Sequence, residues 1–286
     1  GSNAKMLSKE VATTLGGRFF IYDAYPYSFK EYLAAQHVEL KEHWEYDTIQ
    51  RSEVKRHLNE YLYYGGLPEI LSFKNKRAML SSLYQKIYLG DICARNNIKN
   101  DRVLNILIKK MAESVKQPLS YNRLKNVIVA TGSPISVPTT IDYAGYAADS
   151  WLILPMENEA GKLTEKEMQK KYYFVDNGLL NLFLMNSETS LLENMVAVEL
   201  CRRFGKENVF FLNAEKEIDF IVPEEKLAIQ VSYSIKDETT YNREVPPLAK
   251  YAKAHEDWKC LLITYDEEGT EEGIPVVPVW KWLIKV

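Results

Sequence analysis

The sequence has no long apolar run, few cysteines and few histidines, and each scarcity excludes a class of protein. No stretch approaches the roughly 18 consecutive apolar residues that a membrane-spanning helix requires, and no secretory leader opens the chain. The 3 cysteines (Cys93, Cys201 and Cys260) and the 4 histidines form no disulfide framework, Cys-x-x-Cys pair or His-Glu-x-x-His motif. The sequence therefore predicts a cytoplasmic protein with no membrane contact and no His/Cys metal site.

The composition excludes two further classes. With 46% hydrophobic, 26% charged and 12% aromatic residues, the chain is too apolar for an intrinsically disordered protein. It also lacks the compositional bias of a collagen or a low-complexity protein. A chain of 286 residues is expected to form one to three domains.

The net charge of -3 conceals two halves of opposite sign. Residues 1–130 hold 20 Lys and Arg against 13 Asp and Glu, whereas residues 131–286 hold 16 against 26. Two interpretations stay open: a basic half that meets nucleic acid, or two oppositely charged parts that attract each other.

Hydrophobic periodicity divides the chain into a helical, a mixed and an α/β region. Ser28 is a candidate N-cap for a helix over 29–36, and helical spacing recurs over 50–98 with a break at Gly65-Gly66-Leu67-Pro68. Three helices within 103–148, with Ser120 capping the second, and strands at 151–154 and 171–175 are the elements of a winged helix-turn-helix. A compact α/β domain is predicted from helices at 190–204 and 247–254 and strands at 209–212, 218–222, 227–233, 261–264 and 274–279.

The strands at 218–222 and 227–233 carry polar side chains that could form a functional site. Side chains alternate along a strand, so Glu217 and Asp219 share one face. A hairpin centred between Glu224 and Glu225 places Asp219 opposite Gln230 and Glu217 opposite Ser232. The sequence therefore predicts a polar patch on one side of the hairpin.

Carboxylate and amide oxygens are the ligands that Mg²⁺ prefers, so Asp219 and Gln230 are candidate metal ligands. The preceding helix offers Glu193 and Glu199, of which only one can face the hairpin, and we expect it to be Glu193. A half-buried hairpin with one polar face is equally common in α/β domains without a ligand. Both interpretations stay open.

The order Glu193, Glu217-x-Asp219, Gln230-x-Ser232 resembles the PD-(D/E)xK nuclease fold, the fold of restriction endonucleases. The resemblance implies Glu193, Asp219 and Gln230 as catalytic residues that bind Mg²⁺. Ser232 stands at the position of the family's lysine and cannot orient or deprotonate the attacking water as a lysine does. A lysine elsewhere, Lys226 or Lys236, would have to replace it.

Across most of its length the chain resembles the C-terminal part of prokaryotic AAA-family ATPases. The matching segments are Gly1-Ser2-Asn3-Ala4-Lys5-Met6-Leu7-Ser8, Tyr25-Pro26-Tyr27-Ser28-Phe29-Lys30-Glu31, Tyr64-Gly65-Gly66-Leu67-Pro68-Glu69, Phe174-Val175-Asp176-Asn177-Gly178-Leu179, Leu192-Glu193-Asn194 and Ile229-Gln230-Val231-Ser232-Tyr233. The resemblance implies a remnant of the ATPase core at 1–30, a helical lid at 31–98, a winged helix at 99–175 and a nuclease-like domain at 176–286. The fold class expected is thus mixed α/β, a helical bundle and winged helix followed by a restriction-endonuclease-like domain.

The same resemblance implies a nucleotide-sensing role for Asn3 and an arginine finger at Arg18. It also makes Gly1–Ala4 native sequence, although these residues equally suit a cloning remnant. No Gly-x-x-x-x-Gly-Lys-Ser/Thr loop is present, since Gly161-Lys162 and Gly205-Lys206 lack its other residues. ATP is therefore expected to bind in the full-length parent, whose missing core is an expected partner, and not to this chain alone.

The third helix of the predicted winged helix is unusual for a helix that recognises DNA. The segment 137–148 has no Lys or Arg, and Arg123 and Lys125 on the preceding helix are the candidate DNA contacts. Packing or contact with a partner protein is an equal alternative. The leading prediction is a DNA- or partner-binding module without its own catalysis, and the alternatives are a Mg²⁺-dependent nuclease and a purely protein-interaction module.

Overall fold

The chain forms a mixed α/β structure, described here from a computed structural model over residues 22–185, 187–214 and 217–284. Asn3 and Arg18, the predicted nucleotide-sensing residues, and most of the predicted core remnant lie outside this part of the chain.

The first region is helical, as the periodicity predicted. Ser28 caps the first helix, because its hydroxyl accepts the Glu31 N–H while the Glu31 carboxylate accepts the Ser28 N–H. Asp47 caps the second helix, because its carboxylate accepts the N–H groups of Ile49 and Gln50. The elements are α1 (Phe29–Ala35), a 3₁₀ turn (Trp44–Tyr46), α2 (Thr48–Tyr64), a 3₁₀ turn (Pro68–Ile70), α3 (Lys76–Gln85) and a π-helix (Lys86–Ala94).

The middle region contains the three predicted helices and a small antiparallel sheet. Ser120 caps the second of these helices, since its Oγ accepts the Arg123 N–H at 3.2 Å. The sheet has the order β1-β3-β2. The elements are α4 (Asp101–Glu113), β1 (Leu119–Ser120), α5 (Tyr121–Ala130), α6 (Val137–Asp149), β2 (Ile153–Met156), α7 (Leu163–Met168) and β3 (Gln169–Phe174).

The last region is built on a mixed six-stranded sheet with the order β4-β5-β6-β7-β9-β8. Strands β6, β7 and β9 run parallel, and the other pairings are antiparallel. The elements are α8 (Asn177–Leu180), α9 (Glu188–Phe204), β4 (Phe210–Asn213), β5 (Glu217–Val222), a 3₁₀ turn (Pro223–Glu225), β6 (Leu227–Ser232), α10 (Glu238–Ala254), β7 (Lys259–Thr264), β8 (Gly269–Glu271), β9 (Ile274–Pro278) and α11 (Val279–Ile284).

Three elements of this region differ from the sequence prediction. Helix α10 begins at Glu238, nine residues before the predicted start, because Asp237 accepts the Thr240 N–H as an N-cap. Pro246 and Pro247, the second of which is the predicted first residue, lie inside the helix. Strand β8 and helix α11 were not predicted, because both are too short to show a periodicity.

Buried side chains join the three regions. One apolar cluster runs from Phe29 to Leu283, and a second packs α10 against the sheet through Val245, Leu248, Ile218 and Leu262. The loop after β2 also hydrogen-bonds to β4, since Glu159 N–H donates to Phe211 O at 2.8 Å. Within the described part of the chain, no helix is long and apolar enough to cross a membrane.

Candidate functional site

The β5–β6 hairpin has the register predicted from the sequence. Phe220 pairs with Ile229, Ile221 with Ala228 and Val222 with Leu227, and Asp219 and Gln230 are the next residues on either strand. The two residues touch, because the Asp219 N–H donates to Gln230 Oε1 at 3.3 Å. Both side chains are buried, with 6% and 5% of the residue surface exposed.

Three carboxylates converge on one buried ammonium group. Lys171 Nζ lies 3.4 Å from Glu193 Oε1, 3.2 Å from Glu217 Oε1 and 3.5 Å from Asp219 Oδ1. Lys171 projects from β3, Glu193 from α9, and the other two residues from β5. The Lys171 side chain is fully buried, whereas that of Glu217 is 48% exposed. These four residues, the carboxylate–lysine cluster, join the small sheet to the large one.

Hydrogen bonds hold the cluster in place. The Tyr173 hydroxyl donates to Glu193 Oε1 at 2.9 Å, and the Val231 N–H donates to Asp219 Oδ2 at 2.9 Å. Because Tyr173 and Lys171 lie two residues apart on β3, they reach the same carboxylate from one face of the strand. The carboxylates of Glu193 and Asp219 therefore have a fixed orientation.

Burial and the neighbouring charges both shift the pKa values of the residues in the cluster. Burial lowers the pKa of Lys171, but the carboxylates of Glu193, Asp219 and Glu217 more than offset this and raise it above the usual value, so the amine stays protonated. Burial, and then the neighbouring Glu193 charge, raises the pKa of Asp219 well above its usual range, although Lys171 acts in the other direction. The cluster is a buried ion network in which one cation compensates several acids.

Gln230 has a protein partner at both ends of its amide group. Its carbonyl oxygen accepts the Asp219 N–H, and its amide group donates to the Glu244 carboxylate on α10. Glu244 is buried and also accepts from the Arg243 guanidinium, with the closest pair at 2.6 Å. Glu244 is a part of the site that the sequence analysis missed, because the start of α10 was placed after it.

The sequence analysis also missed Lys171, the lysine of the cluster. Lys226 pairs with Asp257 on the surface at 2.5 Å, and Lys236 is exposed and does not line the cleft described below. The lysine that lies among the carboxylates is Lys171, on a strand that the sequence analysis assigned to the predicted winged helix. Ser232, at the expected lysine position, donates its hydroxyl to Ser234 O at 3.0 Å.

The choice between the two helix carboxylates is confirmed. Glu193 faces the hairpin, and Glu199 pairs with Arg202 and with Arg203, the latter at 2.8 Å. The predicted DNA contacts, Arg123 and Lys125, both lie on α5, where Arg123 is exposed and Lys125 is partly buried.

A cleft of about 440 Å³ opens above the carboxylate–lysine cluster. Glu193, Glu217, Asp219 and Gln230 line it, and Lys171 is buried behind this lining. Lys116, Tyr233, Asn242 and Arg243 are among the other residues of the lining. The cleft thus has an acidic floor and basic side chains among its walls.

The residues present do not fit a divalent cation. The carboxylates direct one oxygen each at the Lys171 ammonium, and the Gln230 oxygen already accepts a backbone N–H. In residues 22–185, 187–214 and 217–284, no group of three or more His, Cys, Asp and Glu side chains could hold a metal ion. In this arrangement protein groups already contact the predicted ligands Asp219 and Gln230, and the described residues form no ready-made metal site.

Two curated relatives are similar to nearly the whole chain. An uncharacterised protein of Methanocaldococcus jannaschii is 32% identical over 304 aligned residues, which cover 99% of this chain and 67% of the relative. An uncharacterised protein of Haemophilus influenzae is 32% identical over 296 aligned residues, which cover 100% of this chain and 70% of the relative. Residues 55–190 match a domain of unknown function, DUF8612. No solved structure matches the chain significantly.

Proposed function

We propose that this chain, which belongs to the same family as the Methanocaldococcus jannaschii and Haemophilus influenzae proteins, is a partner-binding module without catalytic activity of its own. The resemblance to AAA-family ATPases supports a role as the C-terminal part of such an enzyme. About a third of each relative lies outside the matched region, and we expect the ATP-binding core there.

The observation that carries this proposal is the position of Lys171. An ammonium group that is fully buried among Glu193, Glu217 and Asp219 supplies the positive charge that these carboxylates require. Desolvating such a group is costly, so a buried ion network persists only when its members are well paired. Here protein groups alone hold the ammonium and the carboxylates together, an arrangement that suits a structural or binding site.

We favour a protein over DNA as the partner, because of the exposed face of α6. In the winged-helix interpretation α6 takes the place of the DNA-reading helix. Its exposed residues are Pro138, Ile141, Asp142 and Gly145, and they carry no positive charge. Ile141 on α6 and Val129 on α5 are 38% and 46% exposed. Apolar and acidic side chains suit a protein surface and repel phosphates.

Fluorescence anisotropy with labelled duplex DNA tests the choice of partner. We expect weak binding that does not distinguish the wild type from a variant with Arg123→Glu and Lys125→Glu. Lys253→Glu, an exposed charge reversal on α10, is the control. Salt-sensitive binding that the double variant loses and the control retains would show that DNA is the partner.

An assay of DNA cleavage tests the absence of catalysis. With Mg²⁺ or Mn²⁺, we expect the wild type to cleave linear and branched DNA no faster than Asp219→Asn does. Cleavage by the wild type that the substitution abolishes would overturn the proposal.

A Mg²⁺-dependent nuclease is the second candidate, and Lys171 is also the observation that favours it. The amine that is missing at Ser232 is present 3.5 Å from Asp219 Oδ1, although it comes from another strand. A lysine in this position can stabilise phosphate charge or orient water. Metal binding would require the carboxylates to turn from Lys171 toward the cleft.

The nuclease candidate makes its own prediction about Lys171. If it is correct, Lys171→Met abolishes cleavage as completely as Asp219→Asn does, provided that the variant is still folded by circular dichroism. Glu224→Gln removes an exposed carboxylate from the turn of the same hairpin and is expected to leave cleavage unchanged. Equal rates in all variants would exclude this candidate.

A further inference from the structure

A second cavity, of about 450 Å³, lies apart from the carboxylate–lysine cluster and shares no lining residue with its cleft. Its walls come from residues 22–26, the loop at 67–69, the segment from α3 into the π-helix, the end of α6 and the start of α8. Sites for small molecules are typically concave, of this size, and lined mainly by apolar and aromatic side chains. Such side chains outnumber the polar ones in this lining, and they include Leu67, Leu83, Ile87, Val175 and Leu179.

The charged residues of this cavity are paired or balanced. Asp23 Oδ2 pairs with Lys206 Nζ at 2.9 Å, and Asp91 Oδ1 pairs with the Arg95 guanidinium at 3.3 Å. Both of the remaining charged residues are exposed, and they have opposite signs. Among the described residues of the lining, these two are Glu69 and Lys86. A charged ligand would lose its hydration here without gaining an unpaired opposite charge inside the cavity, so the walls favour an uncharged ligand.

Trp151 has a backbone conformation that does not suit its side chain. It follows the end of α6 with a φ of 59°, and the hydrogen bonds Trp151 N–H to Ala148 O and Leu152 N–H to Ala147 O close the helix end. Glycine is the usual residue at such a helix end, and a bulky residue with a left-handed backbone is an outlier. Outliers of this kind concentrate at functional sites. The indole ring, and not the backbone, therefore accounts for a tryptophan here.

Neighbouring side chains orient the Trp151 ring without covering all of it. The Tyr25 ring packs edge-on against it, with 5.4 Å between the centroids. Lys206 Nζ lies 4.3 Å from the Trp151 ring centroid and is not among the described residues that line the cavity. Trp151 itself lines the cavity and is only partly buried, so it offers a fixed aromatic surface there.

The π-helix Lys86–Ala94 forms another wall, to which Ile87 contributes a partly buried apolar side chain. π-helical turns are rare, and they occur frequently at functional sites. The lining also contains Tyr22, whose residue surface is 87% exposed. An apolar wall and two accessible aromatic side chains, those of Tyr22 and Trp151, thus surround the same space.

We propose that this cavity binds a small, planar aromatic molecule that carries no charge. Trp151 provides the aromatic contact, and Ile87 and the other apolar side chains remove the ligand ring from water. The pairing of the charged side chains within the protein excludes charged ligands of the same shape. This binding site is separate from the proposed partner surface on α6 and does not depend on it.

Three indole compounds of nearly equal size test the proposal by calorimetry. Tryptophol is uncharged, whereas tryptamine carries an ammonium group and indole-3-acetate carries a carboxylate. We expect tryptophol to bind the wild type saturably and both charged compounds to bind about tenfold more weakly, because neither charge finds an unpaired partner.

Two substitutions in the lining test where tryptophol binds. Trp151→Asn is expected to weaken its binding about tenfold, the order of effect of losing one aromatic contact. Asparagine tolerates a left-handed backbone, so this variant is expected to fold. Ile87→Glu places an unpaired carboxylate in the cavity and is expected to weaken the binding of tryptophol and to strengthen that of tryptamine.

Leu89→Glu is the matched control for Ile87→Glu. Leu89 lies on the same π-helix, is 50% exposed and is not among the described residues that line the cavity, so this variant is expected to bind tryptophol as the wild type does. The proposal is overturned if the wild type does not bind tryptophol, or if tryptamine or indole-3-acetate binds it as tightly. It is also overturned if Trp151→Asn or Ile87→Glu, with an intact unfolding transition, binds tryptophol as tightly as Leu89→Glu does.

Discussion

Asp176 shows how a single buried side chain can make stability depend on pH. Its carboxylate accepts the N–H groups of Gly66 and Gly178 at 2.8 Å each and that of Leu179 at 3.3 Å. Burial nevertheless raises the pKa of Asp176 to about 6, because the three hydrogen bonds offset only part of the desolvation of its charge. The carboxylate connects the loop after α2 to the start of α8.

The raised pKa predicts a loss of stability with rising pH. A carboxyl whose pKa is higher in the folded than in the unfolded chain contributes stability below its unfolded value of 3.8. That contribution disappears as the pH rises through about 6. A tenfold difference between the folded and unfolded acid dissociation constants corresponds to about 1.4 kcal/mol, so the free energy of unfolding is expected to fall by roughly 3 kcal/mol.

Asp176→Asn is the matched control, because asparagine cannot ionise. Urea unfolding at several pH values is expected to show that the wild type loses stability relative to the variant between the two pKa values. A constant difference between the two proteins across this range would contradict the expected role of Asp176.

At the scale of elements, the turn after α2 depends on Gly65. Its φ is 75°, and a Cβ atom there would lie 2.1 Å from the Asp176 carboxylate oxygens. Both the backbone conformation and the close approach therefore require glycine.

A pair of glycine substitutions tests this requirement. Gly65→Ala is expected to lower the free energy of unfolding by at least about 2 kcal/mol. Gly145→Ala lies in the middle of α6, where nothing is within 4 Å of the added methyl, and is expected to raise it by about 0.5 to 1 kcal/mol. Urea denaturation measures both, and similar effects of the two substitutions would contradict the argument.

At the scale of elements, local features of the site could be predicted from the sequence and tertiary contacts could not. The β5–β6 register follows from side-chain alternation and a short turn, which are local, so the contact of Asp219 with Gln230 was predicted correctly. Helical periodicity showed that only one of Glu193 and Glu199 could face the hairpin, and the apolar residues before Glu193 favoured Glu193. Lys171 and Glu244 were missed because they come from elements whose packing against β5 and β6 is set by tertiary contacts. Local patterns do not contain that information.

For the whole molecule, one buried asparagine connects all three regions. Asn194 on α9 accepts the Phe174 N–H at 2.7 Å and donates to Phe174 O at 2.9 Å. It also donates to Asn177, which in turn donates to Leu62 O on α2 at 3.0 Å. The network crosses the boundaries at 98 and 175 that the sequence analysis proposed.

Asn194→Ala is therefore expected to destabilise the entire chain. Each buried polar group left without a partner costs about 1 to 3 kcal/mol, so we expect a loss of about 3 kcal/mol or more. Asn126→Ala, on the exposed side of α5, is the control with no expected effect. Circular dichroism and tryptophan fluorescence are expected to report one shifted transition, and two separate transitions would contradict the coupling of the regions.

Attraction between the basic and the acidic half of the sequence is not what joins the regions of the molecule. Surface pairs such as Lys55 with Asp266, at 2.5 Å and partly exposed, contribute little to stability. The continuous apolar cluster joins the regions instead. Lys171 lies within residues 131–286, so the cation of the carboxylate–lysine cluster belongs to the acidic half of the sequence itself.

The central claim is that Lys171 is the cation that the carboxylates of Glu193, Glu217 and Asp219 hold. The most direct test compares thermal unfolding of the wild type and Lys171→Met with and without Mn²⁺. Removal of one partner from a buried ion network costs about 3 to 5 kcal/mol, so the variant is expected to unfold at a lower temperature. Mn²⁺ is expected to leave the wild-type transition unchanged and to raise that of the variant, because the metal replaces the lost charge. A rise in the wild-type transition, lost in Asp219→Asn, would show that the carboxylates bind metal beside Lys171 and would contradict the claim.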